Sequence, residues 1–437
     1  MSQSLTPLKI QQRHSRPAVL HPQSLQRVSV IMARLHIPLQ IAALILALWL
    51  PLAQPAAAEG ILVTESKASH SFAQQVTFTL QANSDAEISQ VYLFFRATGS
   101  ERTKHKRIDI EPASEIKVDY VHDLRISPLP PFATVTFWWL IEDTAGNSLD
   151  TKSQPQQFQY IDNRFTWKSL DADGVAVHWI ENQGDPVFGQ TALDIARSTR
   201  EQLAIELDIQ SPRPINIYIY DTQSNLDAAM TLTGQDWVRG QAHPDLGVIL
   251  IAIPNTENYA SHMMRYIPHE ITHLLVYQAV TPAGYQYVPE WLDEGLATAT
   301  ERLPTPEHTT VLEEAYTEGQ LIPLKDLCIP FSPDPYTAFL SYAQSGSLVR
   351  FVREEYGAVG IRALLAAYAK GASCTGGVQE ALNISLNALE TAWRSSLEQK
   401  APWRAWLDQI DIWVGLWLLS LLVTVPMVGR LRRRHTS

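Results

Sequence analysis

Five consecutive residues, His269-Glu270-Ile271-Thr272-His273, carry the most specific chemistry in the chain. On an α-helix, residues i and i+4 stack on one face, so two imidazole nitrogens can meet at one metal ion. The pattern H-E-x-x-H is one by which a helix holds zinc. Glu270 stands about 100° round the helix from His269, where it can act on a water at the metal without being a ligand. It would take that water's proton while the metal lowers the water's pKa. Apolar Ile267, Ile271, Leu274 and Leu275 put the pentad on a half-buried helix. Pro268, directly before His269, must start that helix or kink it, because proline has no N–H for an interior bond.

Sixteen residues after His273 begins Pro289-Glu-Trp-Leu-Asp-Glu-Gly-Leu-Ala297. Pro289 suits a first helical turn, which puts Glu294 on a second helix as a third ligand. Three protein ligands and one open position is the arrangement of a catalytic zinc. Asp293 points about 100° away from Glu294 on the same helix and is expected to matter less.

These segments resemble the gluzincin metallopeptidases, the clan of thermolysin and aminopeptidase N, and in particular the bacterial peptidase MA-like proteins. In the aminopeptidase branch the second helix reads Trp-Leu-Asn-Glu-Gly-Phe-Ala. Trp291-Leu-Asp-Glu-Gly-Leu-Ala297 reproduces five of those seven positions, with Glu294 in the ligand place. The resemblance covers about residues 163–400. It implies one zinc ion per chain, held by His269, His273 and Glu294, and a peptide or protein substrate. It also implies that Glu301, seven residues beyond Glu294, is the carboxylate behind a ligand histidine. The segment Tyr342-Ala-Gln-Ser-Gly-Ser-Leu-Val-Arg-Phe-Val352 looks like the one carrying the family's transition-state phenol, here Tyr342, with Tyr336 and Tyr356 as competitors. Aminopeptidases of the clan grip the substrate amino terminus with Gly-x-Met-Glu-Asn. This chain has Gly240-Gln-Ala-His-Pro-Asp-Leu-Gly247 instead, so an endopeptidase is favoured. Gly247–Ile253 is expected to be an edge strand able to pair with an extended peptide. Two other readings stand beside this one: a catalytically silent surface binding or sensing protein, and a hydrolase of the same fold acting on a non-peptide bond.

The elements around the motifs divide the chain. From 59 to 162, segments such as Gln75–Leu80, Ile88–Phe95, Ile116–Tyr120 and Ala133–Ile141 alternate or run apolar between turn signals. About seven short strands in that length predict an all-β sandwich of immunoglobulin or fibronectin III type. Helical periodicity takes over in 163–400, with helices expected at 193–209, 262–280, 290–303, 309–319, 339–356 and 361–371. Short apolar strands at 215–220 and 247–253 make it an α+β domain of gluzincin type.

Charge divides the chain as well. Residues 1–58 and 412–437 contain no acid, so 59–411 holds all 45 acidic residues while nine of the 34 bases lie in the flanks. So acidic a segment excludes nucleic-acid binding, which needs a basic face. Residues 1–58 are expected to be a signal-peptide region: Arg34, an apolar run from Ile41 to Leu50, then Ala56-Ala57-Ala58, with Met32 an alternative start. After a juxtamembrane linker at 401–411, the uncharged stretch 412–429 is long enough for one transmembrane helix. Arg430, Arg432, Arg433 and Arg434 would keep the 430–437 tail cytoplasmic and the catalytic domain extracytoplasmic, as a single-pass protein of the cell membrane. The only two cysteines, Cys328 and Cys374, fall in the outside part, where an oxidising compartment permits a disulfide; two free buried thiols are the alternative.

Overall fold

The computed structural model describes residues 60–400 apart from 101, 182–185, 231–239 and 304. The first seven strands are β1 (Leu62–Ser71), β2 (Gln75–Ala97), β3 (Lys104–Ile108), β4 (Ala113–Asp123), β5 (Thr134–Asp143), β6 (Ser148–Asp150) and β7 (Gln156–Gln159). All seven belong to one antiparallel sheet. Its organiser is β2. The first half of β2 runs between β1 and β4, the second half between β3 and β5, and the register breaks between Asn83 and Gln90. Val76, Phe78, Leu80 and Ala82 alternate inward in the first half, as Val91, Leu93, Phe95 and Ala97 do in the second. The two halves then face each other, with the Phe78 ring 5.0 Å from Phe95 and 5.2 Å from Phe137 on β5. The expected layered β region is therefore one sheet folded over on a long strand, not two separate sheets.

The second half of the chain begins with β8 (Trp167–Ala172) and β9 (Val175–Ile180), followed by α1 (Pro186–Glu206), β10 (Ile215–Tyr220) and α2 (Gln223–Met230). A hairpin of β11 (Gly240–His243) and β12 (Val248–Ala252) precedes α3 (Tyr259–Val280). Then come α4 (Pro282–Tyr285), α5 (Glu290–Thr300), α6 (Pro306–Thr317), α7 (Pro335–Ala369), α8 (Cys374–Leu382) and α9 (Leu386–Lys400). The sheet order is β11-β12-β10-β9-β8, with β10 parallel to both β9 and β12. Every residue of β12 is buried, as expected of a strand covered on both faces. Ile249 and Ile251 join the core of the helices, while Val248, Leu250 and Ala252 join the core of the β region. Phe132 of the β region stacks on Tyr218 of β10 with ring centroids 3.8 Å apart. Fully buried Asp162 accepts two hydrogen bonds from the Arg164 guanidinium, at 2.9 and 2.6 Å, one from the Arg164 backbone N–H at 3.1 Å and one from the Tyr220 hydroxyl at 3.1 Å.

Three expectations need correction. The strand at 247–253 is interior, not an edge. The chain turns back at His243, where the Leu246 N–H donates at 3.1 Å, so β11 pairs antiparallel outside β12. The helices expected at 339–356 and 361–371 form one element, α7, kinked at Gly357. The fold class is corrected to its β region and α+β half, because no helix among the described residues is long and apolar enough to cross a membrane. The longest, α7, turns most of its apolar side chains to the protein core and carries Arg350, Arg353, Glu354 and Glu355. Segments 1–58, 401–411, 412–429 and 430–437 lie outside the described residues.

Cys328, at the end of a short 3-10 turn, and Cys374, the first residue of α8, are joined in a disulfide, with Cα atoms 6.0 Å apart and a sequence separation of 46. A loop of that length contributes about 3–4 kcal/mol in the chain-entropy account. Reduction should therefore lower the thermal midpoint by several degrees, and mass spectrometry of the unreduced protein should find no alkylatable thiol. Two alkylated cysteines in the unreduced protein would refute the bridge.

Candidate metal centre

α3 and α5 cross so that the two histidine positions of one face the acidic turn of the other. His269 Nε2 lies 3.3 Å, and His273 Nε2 3.7 Å, from Glu294 Oε2. The other nitrogen of each ring meets a different carboxylate. His269 Nδ1 is 3.2 Å from Glu301 Oε1, and His273 Nδ1 is 3.2 Å from Asp293 Oδ2. Asp293 Oδ2 also accepts the Tyr285 hydroxyl at 2.6 Å. Carboxylates behind both imidazoles favour the proton on Nδ1 and leave each Nε2 lone pair pointing inward. Three acceptors then converge, and Glu294 Oε2 is buried without a hydrogen-bond partner. A cation would satisfy such a set. One donor atom from each of His269, His273 and Glu294 lies within 4.8 Å of the others, and this N/O donor set suits zinc.

Electrostatics agree. Burial works against charge on His273, but Asp293 and Glu294 outweigh it and lift the imidazole to about 9. The carboxylates are thus arranged to stabilise positive charge at this point. Glu290, one turn before Glu294, is pushed up to about 7 by its own burial and by its neighbours Glu294 and Asp293.

Glu270 is buried on the same helix and faces β11. Burial raises its carboxyl pKa, opposed by His269, His273 and a backbone hydrogen bond from Ala242. A raised pKa makes it a better proton acceptor. Its slot depends on Gly240. A Cβ there would stand 2.6 Å from Glu270 Oε1 and 3.0 Å from Cδ, so any side chain would displace the Glu270 carboxylate.

Tyr342 comes to the site because α7 packs closely on α5. A Cβ at Gly295 would lie 2.6 Å from the Ser345 carbonyl oxygen, so only glycine lets the helices approach. One turn before Gly346, the Tyr342 ring reaches 6.4 Å from His269 and stands edge-on to Phe331 at 5.2 Å. Burial raises its phenol pKa, as do Glu294, Glu290 and Glu270, which keeps it protonated and able to donate. The competitor Tyr336 is half exposed.

All six sequence-derived site residues, His269, Glu270, His273, Glu294, Glu301 and Tyr342, are therefore brought to one place. The disulfide ties the turn three residues before Phe331 to the start of α8. Asp293 gains a partner. It does point away from Glu294, but towards His273, and helix geometry within one segment carries no sign of that partner. Asp293→Ala should weaken zinc binding about 10- to 100-fold, the usual cost of losing a partner behind a ligand. Competition with a chelator of known affinity measures this, and an unchanged affinity would reduce Asp293 to a bystander.

Residues 195–399 match the family model described as the Peptidase MA superfamily. That match supports the resemblance to peptidase MA-like proteins. No curated protein matches the chain. Among solved structures, wild-type OgpA from Akkermansia muciniphila is similar over 24% of this chain and 30% of its own, at 9% identity and a TM-score of 0.19. Bacteroides uniformis beta-glucuronidase 2 is similar over 51% of this chain and 31% of its own, at 10% identity and a TM-score of 0.17. The chain thus spans less than a third of either structure, and similarity at those scores fixes neither fold nor function.

Proposed function

We propose that this protein is a zinc-dependent peptidase that hydrolyses internal bonds of peptides or unstructured proteins, with one zinc ion per chain. The observation that carries this reading is the convergence of His269 Nε2, His273 Nε2 and the unpartnered Glu294 Oε2, with Glu270 alongside. Zinc bound there supplies Lewis acidity to the attacking water and to the scissile carbonyl. Glu270 takes the water's proton and later delivers it to the departing amine, a role that its raised pKa and buried slot favour. Tyr342 donates to the carbonyl oxygen as negative charge develops on it. Glu301 and Asp293 hold the imidazoles in the tautomer that presents Nε2. β11 carries no acidic residue to grip an amino terminus, which supports an endopeptidase. The Cys328–Cys374 bridge supports an extracytoplasmic location.

The test is digestion of casein and of an N-acetylated peptide by the zinc-loaded protein, with and without a chelator. Internal cleavage that stops on chelation and returns with zinc is expected. No cleavage of either substrate by protein holding one zinc per chain would overturn the peptidase reading, and stepwise release from free amino termini alone would overturn the endopeptidase part.

A further inference from the structure

Pro268 stands inside α3, one residue before His269. A proline there has no N–H to give to the carbonyl four residues back, which is that of Met264. Another donor takes the place. The Arg302 N–H reaches the Met264 oxygen at 2.9 Å. Arg302 follows Glu301, the residue at which α5 leaves helical geometry and whose Oε1 meets His269 Nδ1. The Arg302 side chain is fastened separately, its Nη2 donating to Ser198 Oγ at 2.7 Å and Thr199 Oγ1 at 3.0 Å on α1.

We propose that Pro268 is a positioning residue for the metal centre. By leaving the Met264 carbonyl free, it lets the chain beyond α5 fasten to α3, and that fastening sets the Glu301 carboxylate against His269. This rests on the reading of His269 as a ligand. Any other residue at 268 would bring its own N–H and compete with Arg302 for the same oxygen. Glu301 depends on the clasp because it has left the helix (φ −52°, ψ 125°) and because its Oε2 is buried without a partner. Its contact with His269 is the only hydrogen bond its side chain makes among the described residues. The proline that looks like a defect in the zinc-binding helix is thus what joins that helix to the carboxylate behind its first histidine.

The experiment compares wild type, Pro268→Ala, Glu301→Gln and the double variant by chelator-competition zinc affinity, and reads amide hydrogen exchange at Arg302 in the metal-free proteins. Pro268→Ala should weaken zinc binding by about 10-fold, the lower end of the range for such partners, and should speed exchange at Arg302. The metal-free thermal midpoint should hold or rise, because alanine suits a helix interior better than proline does. The double variant should bind zinc no more weakly than Glu301→Gln alone, since both changes act through one contact. Wild-type zinc affinity in Pro268→Ala, unchanged exchange at Arg302, or losses that multiply in the double variant would each overturn the proposal. A Pro268→Ala protein that fails to fold would also overturn it, because the proposal assigns the proline no part in stability. None of these measurements needs a substrate, so a failure of the peptidase reading registers separately.

Discussion

Glu294→Ala protein is expected to leave dialysis largely free of zinc and to cleave nothing. Its carboxylate is the one atom towards which both imidazole Nε2 atoms point, at 3.3 and 3.7 Å. Without it, two neutral nitrogens face a cation with no formal charge to balance it. Asp293 is turned to the other nitrogen of His273, its Oδ2 held between His273 Nδ1 and the Tyr285 hydroxyl. The loss should exceed the 10- to 100-fold typical of a partner behind a ligand, so Glu294→Ala must be hit harder than Asp293→Ala. Zinc stoichiometry and casein cleavage on the two variants, purified side by side, decide the order. Retention of one zinc per chain by Glu294→Ala would remove it from the ligand set.

Glu270→Gln should behave in the opposite way, holding zinc as wild type does while turnover falls about 10²- to 10⁴-fold, the range for a lost general base. Glutamine fills the slot beside Gly240 with the same shape, and its amide oxygen can still accept from Ala242. What it cannot do is take a proton. The site would stay built but lose its acid–base function. Full activity in Glu270→Gln would show that the proton goes elsewhere, with Glu290 the next carboxylate to test; loss of zinc would make Glu270 a ligand.

The parts of this architecture legible in the sequence are those written in one segment at a time. His269 and His273 could be read because i and i+4 share a helix face, and Glu294 because its neighbours reproduce a known second helix. The β region and the α+β half could be told apart because a period of two gives way to a period of 3.6. What escaped depends on two segments meeting. Asp293 reaches His273 only because α5 crosses α3 at one angle. The Met264–Arg302 bond joins positions 38 residues apart through a carbonyl that no side-chain pattern reports. β11 is four residues long, too short for alternation to register, and it takes the edge that β12 was expected to hold. The fold of β2 upon itself was hidden for a similar reason, since its halves read as two ordinary strands.

The strand β12 has no outside: Ile249 and Ile251 look towards the helices, and Val248, Leu250 and Ala252 towards the β region. Recombination trades parts of genes at places where few contacts cross, and the junction near residue 163 is not such a place. A breakpoint there would hand a new host an α+β half with a raw apolar face, and leave behind a β half whose ring of Phe132 had lost its seat on Tyr218. The two halves are a single heritable object, whatever the change of periodicity at their border suggests.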